Sequence, residues 1–178
     1  MIATRLIAIA CALMAASGAL AADLNDTLQQ KLPLLGHRNW IVIADAAYPV
    51  QSRPGIETVY VGGDQIEAVD AVLKLIRFSK HVRAKALLDA ELAAVPENDA
   101  PGVAHYRDQL KKKLDTLETE QMPHEAIIGK LDETAKTFQI LIVKTDFKIP
   151  YTTVFLQLDC GYWSAEAEQR MRQSLQTK

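Results

Sequence analysis

The sequence predicts a single α/β domain whose largely parallel central sheet is flanked by helices, in Rossmann-like layers, and three observations carry that expectation. Short apolar runs of strand length alternate along the chain with stretches of helical period. Residues 39–45, NWIVIAD, are apolar without alternation, as a strand covered on both faces requires. Residues 62–78, GGDQIEAVDAVLKLIRF, open with Asp64 and Glu67 in capping-box spacing and bring Ile66, Val69, Leu73 and Ile76 to one helical face. The 178 residues hold no internal repeat or low-complexity tract, which leaves one domain.

The elements follow in order. Residues 24–36, LNDTLQQKLPLLG, fit a short helix interrupted by Pro33 and stopped by Gly36. After the strand at 39–45, residues 56–61 (IETVYV) form a second strand and 62–78 the capped helix. Residues 85–90 (KALLDA) read as a strand and 103–117 (VAHYRDQLKKKLDTL) as a charged amphipathic helix. Residues 125–129 (EAIIG) read as a short strand, 131–138 (LDETAKTF) as a helix, and 139–143 (QILIV) and 153–159 (TVFLQLD) as strands. Ser164 opens a mostly polar C-terminal helix.

Residues 1–22 have the layout of a secretory signal: Arg5, the apolar run LIAIACALMAA, and Ala19-Leu20-Ala21 as a small-x-small cleavage site. The expected mature domain is therefore 23–178, periplasmic or secreted. Loss of Arg5 moves the formal net charge from -2 to -3, a balance that excludes a nucleic-acid binder. No other segment approaches the ~20 apolar residues of a membrane span, so no stable membrane insertion is expected once the signal is removed. Cys11 lies in the signal after an apolar run too short for a lipoprotein anchor. Cys160 is then alone, without an internal disulfide, and is expected to be a buried small hydrophobe.

Ligands of such sheets collect where strands end, so residues flanking strands are the first candidates. His37 precedes the strand at 39–45 and Asp45 ends it, about 25 Å apart at ~3.3 Å per residue. One copy of the chain therefore cannot bring both into one site unless it bends, whereas a neighbouring copy can supply the missing half. Imidazole suits proton transfer near neutral pH because its ordinary pKa, ~6.5, leaves acid and base forms accessible. The same residues also fit plainer roles: Gly36-His37 as a helix C-cap and Asp45 as the cap of the following turn.

The segment GHRNWIVIADAAYP, residues 36–49, resembles the signature of the D-ribose pyranase and L-fucose mutarotase family. The likeness extends to Ser52, to Tyr106 and Arg107 in a similar helix, and to IPYTTVFLQLDCGYW, where Tyr151 and Gly161 are retained. It covers residues 24–163. The resemblance implies a monosaccharide mutarotase or pyranase that interconverts ring forms or anomers of a free sugar with no metal and no organic cofactor. It makes His37 the catalytic proton carrier and Asp45 a ligand of sugar hydroxyls, and it has Tyr151 begin the loop that holds the sugar. It also implies a closed homo-oligomer, a ring whose sites form between neighbours, which answers the distance between His37 and Asp45. A basic or imidazole residue is expected before the helix at 131–138, and His124 and Lys130 are the candidates.

The chain departs from the family where Tyr-x-Asn becomes Tyr151-Thr152-Thr153, because a hydroxyl lacks the paired donor and acceptor of an amide. Thr153 therefore reads the sugar differently, and two extra residues precede Tyr151. Two other functions remain open: a sugar-binding envelope protein without turnover, and a structural or interaction module that reuses the fold. His81 and His105 are expected on the wet surface, as is the run Lys111-Lys112-Lys113, and Trp40 and Trp163 are expected in the core.

Overall fold

The computed structural model describes residues 24–176, so the expected signal at 1–22 lies outside the described residues. Residues 24–31 form helix α1, followed by a 3-10 turn, Leu32–Leu34. Strands β1 (Trp40–Ala44) and β2 (Ile56–Tyr60), helix α2 (Gln65–Ser79) and strand β3 (Val82–Asp89) come next. Helix α3 (Val103–Lys113), strand β4 (Thr119–Met122), helix α4 (His124–Thr134), strands β5 (Ile140–Lys144) and β6 (Val154–Cys160) and helix α5 (Ala165–Gln176) complete the chain.

The strands form one six-stranded sheet in the order β2-β5-β1-β6-β3-β4. Five strands run in one direction, and β6 runs against both of its neighbours, β1 and β3. The largely parallel α/β sheet is as the sequence implies; the antiparallel strand in its interior is what positions the site.

β1 shows why its apolar run is unbroken. Side chains alternate between sheet faces, and both faces are covered. Ile41 and Ile43 enter a core built with α1, α2 and α3, while Trp40, Val42 and Ala44 enter a second core with Ile127 and Leu131 of α4. α2 starts where expected: Oδ1 of Asp64 accepts the N–H groups of Ile66 and Glu67 at 2.8 and 3.0 Å.

Two elements differ from the sequence reading. The strand expected at 125–129 and the helix expected at 131–138 are one helix, α4. Pro123 occupies its N-cap position, and Ile127 and Leu131, one turn apart, are its buried residues, a helical spacing that the short apolar run conceals. β4 went unassigned because it lies at the edge of the sheet, with three of its four residues exposed and no apolar alternation to mark it.

Three side chains also depart from expectation. His81 is a clasp, not a solvated residue: its ring nitrogens lie 3.0 Å from the Ser79 carbonyl oxygen and 3.2 and 3.1 Å from those of Leu32 and Leu35. Lys113 leaves the wet face of α3 to donate to Asp70 of α2 at 2.8 Å. Trp163 is not core but exposed, donating to Glu168, and α5 buries none of its described residues. Trp40 is core, at 2% exposure. Cys160 is half-buried.

Candidate active site

Because β6 runs against β1 and β3, its start lies beside the ends of both, with Val154 paired to Ile43 and to Leu88. That register gathers Asp45, Asp89 and Thr153 at one end of the sheet. Asp45 accepts the Ala47 N–H at 2.8 Å through Oδ1, closing the turn after β1, and the Thr153 hydroxyl at 3.2 Å through Oδ2. Asp89, the last residue of β3, is 1% exposed. Its Oδ1 lies 3.0 Å from Nδ1 of His124, and its Oδ2 is buried with no partner among the described residues. Burial pushes the Asp89 carboxyl above its ordinary range, with His124 pulling the other way.

His124 opens α4. Its backbone N–H donates to both carboxylate oxygens of Glu91, at 3.0 and 3.1 Å, so Glu91 does the capping that Pro123 cannot. That bond holds the Glu91 carboxyl below its ordinary range. Tyr151 presents its ring to His124 edge-on at 5.9 Å, from a backbone with φ 58°, a region costly for a residue with a Cβ.

A buried network fixes this end. The Gln65 amide donates to the carbonyls of Ile43 and Thr152 at 3.1 and 2.9 Å and accepts from the Thr145 hydroxyl at 2.5 Å. The Tyr106 hydroxyl donates to the same Thr152 carbonyl at 2.6 Å. The backbone between β5 and β6 is thereby tied to β1 and α2 by partners that are themselves buried.

His37 lies at the opposite end of the sheet. Asp159, in β6, brings Oδ1 to 2.9 Å from Nδ1 of His37. The Arg38 Nε donates to His37 Nε2 at 3.1 Å. An arginine carries no acceptor, so Nε2 must be the unprotonated nitrogen and Nδ1–H donates to Asp159. Arg83 of β3 donates to the other Asp159 oxygen at 3.1 and 2.6 Å, and that bond is the main cause holding the Asp159 carboxyl below its ordinary range. Asp159 and Arg38 thus engage one ring nitrogen each.

The structure thus brings Asp45, Thr153, His124 and Tyr151 together and leaves His37 apart from them, as the length of β1 requires. Lys130 does not join the cluster: it is exposed on α4, two turns of sequence beyond His124. The sequence reading missed Asp89, Glu91, Asp159, Arg83 and Gln65. A carboxylate closing a strand was the available signal for Asp89, and a polar residue on an apolar helix face was the signal for Gln65. Asp159 and Arg83 gain their meaning only from the pairing of β3 with β6.

A mainly parallel α/β sheet thus carries carboxylates, imidazoles and hydroxyls at its strand ends, where sheets of this kind collect ligands. The chain belongs to the RbsD / FucU transport protein family, whose model matches residues 14–160. It is similar to the structure of Bacillus subtilis RbsD complexed with D-ribose, at 23% identity and TM-score 0.55, covering 75% of this chain and 91% of that one. FucU from Bifidobacterium longum is 19% identical with TM-score 0.53, covering 75% of this chain and 94% of the other. The Streptococcus pneumoniae fucose mutarotase in complex with L-fucose is 22% identical with TM-score 0.49, covering 75% and 91%. No curated protein matches the sequence. Among the described residues no helix is long and apolar enough to cross a membrane.

Proposed function

We propose that this protein is a monosaccharide mutarotase or pyranase, with His37 moving the proton. The observation that carries the reading is His37, held by Asp159 and Arg38, within the Gly-His signature of a chain that belongs to the RbsD / FucU family. In the reaction the anomeric hydroxyl gives its proton to a base, and the bond between the anomeric carbon and the ring oxygen breaks. The ring oxygen takes a proton, and the free aldehyde closes again in the other form. One imidazole can serve both transfers once Arg38 releases its Nε2. Asp45, Thr153, Tyr151 and His124 hold the sugar. They belong to a second copy of the chain, because β1 separates them from His37 of the same copy, so the active assembly is a closed homo-oligomer. The reaction needs no cofactor.

The test is exchange NMR on equilibrated pentoses and hexoses, ribose and fucose among them. Magnetisation transfer between ring forms should rise with the protein present, and absence of transfer across neutral and anionic sugars alike overturns the reading. A binder without turnover is favoured by one observation, that both ring nitrogens of His37 are occupied; sugar signals that broaden without exchanging would establish it. Residues 1–22 support an exported protein, and mass spectrometry of protein from its native host should then find an N-terminus near Ala22 or Asp23.

A further inference from the structure

The groove beside His37 is basic in a chain whose formal charge is -2. It has a volume of about 1020 Å³, and Arg38, Arg77, Lys80, Arg83 and Lys85 line it against only Glu118 and Asp159. Arg83 is paired with Asp159, and Lys85 with Glu118 and Glu120. The side chains of Arg77 and Lys80 have no hydrogen-bond or ion-pair partner among the described residues, and that of Arg38 donates only to a ring nitrogen of His37 while its guanidinium lies 5.6 Å from the Phe138 ring centroid. Glu166 of α5 approaches close enough to act on Arg83 but makes no bond to any of these three cations. Three cations without a carboxylate partner among the described residues therefore share the groove with the imidazole.

Arg38 is the informative one. Its φ is 74°, the left-handed region that glycine occupies without strain and a residue with a Cβ does not. The backbone is held there by the Arg38 N–H, which donates to the Leu158 carbonyl at 2.9 Å, and the side chain touches the nitrogen that has to move a proton. While Arg38 donates to Nε2, that lone pair is closed to a sugar hydroxyl. A guanidinium leaves a neutral acceptor for an anionic one, because charge-assisted hydrogen bonds are the stronger.

We propose that the ligand handled at His37 is an anionic monosaccharide, bearing a carboxylate or a phosphate, and that Arg38 reads the charge: the anion draws the guanidinium away and opens Nε2 to the anomeric hydroxyl. Arg77 and Lys80 hold the anion in the groove. Arg38 is a specificity-determining residue that acts on the proton step through His37. The inference rests on the mutarotase reading for its chemistry and on the groove alone for its ligand.

The experiment compares D-glucuronate and D-glucose 6-phosphate with D-glucose by exchange NMR, using wild type and Arg38→Gly, a change that relieves the backbone strain. Wild type should favour one or both anions over glucose by ~10-fold or more, a preference that shrinks as salt is added. Arg38→Gly should bring the preference close to parity, since a hydrogen bond to a charged group is worth about tenfold or more. The arm that responds tells carboxylate from phosphate. Glucose exchanged as fast as both anions, or a preference unchanged in Arg38→Gly, overturns the proposal while the mutarotase reading stands. Should no sugar be exchanged, the mutarotase reading falls and amide and ring NMR signals of His37, Arg38 and Arg83 decide the ligand. Shifts with either anion and not with glucose uphold the anionic site; no shift with either anion overturns it.

Discussion

Asp89 and His124 are 35 residues apart in sequence, yet the buried carboxylate of one lies 3.0 Å from the ring Nδ1 of the other. Glu91, two residues further along, takes the backbone N–H of the same histidine. Imidazole and main chain are thus both anchored to the end of β3, which sets the ring against Tyr151.

Burial raises the Asp89 pKa, so the folded chain holds its proton more tightly than the unfolded chain does. The contribution of a group raised in this way is present at low pH and is lost as pH climbs from the ordinary carboxylate value, about 4, through the raised one. Asp89→Asn carries no such loss. Denaturant titrations from pH 4 to 7 should therefore show wild type losing ground to Asp89→Asn as pH rises. A gap that moves the other way would show that the pairing with His124 outweighs desolvation.

His37→Ala should cut exchange by ~10²–10⁴, the usual worth of one placed acid-base group. The His37 side chain is 56% exposed and enters neither core cluster, so the fold should be unaffected and the melting temperature nearly unchanged. Activity equal to wild type would remove His37 from the chemistry.

A site shared between copies makes a distinctive prediction for mixtures. His37→Ala and Asp45→Asn should each be impaired alone, since an amide at 45 keeps hydrogen bonds but not the charge-assisted ones. Refolded together they should regain activity, up to about a quarter of the wild-type sites, because some contacts then pair an intact His37 with an intact Asp45 from different copies. A mixture no more active than its better component, or light scattering that finds only monomers, would count against the shared site.

Thr153 lies 2% exposed with its hydroxyl on Asp45. Thr153→Asn puts a paired donor and acceptor beside the same carboxylate. The ratio of exchange rates between ribose-like and fucose-like sugars should shift, measured as kcat/KM for each. An unchanged ratio would place Thr153 outside sugar recognition.

How far the site was legible in the sequence follows from what each residue depends on. β1 and α2 are local facts, an apolar run covered on both faces and a capped amphipathic helix, and both stand where the pattern placed them. α4 was split because EAIIG reads equally well as a strand and as one turn of helix, and only Leu131, beyond the run, decides the matter. His37, Asp45, His124, Tyr151 and Thr153 are candidates that the motif itself names. The groups that tune them are not. Asp89 reaches His124 across 35 residues and Asp159 reaches His37 across 122, and no local pattern reports such distances.

The antiparallel course of β6 has a further consequence. One strand begins beside Asp45 and carries Asp159 near its end, so its length is a fixed spacer between the Asp45 cluster and His37. Under the shared-site reading each copy is then a link with two unlike ends. An open row of copies always leaves one imidazole end and one carboxylate end idle, however long the row grows. Only closure makes complete sites as numerous as copies, so turnover per chain would itself report whether the assembly is closed.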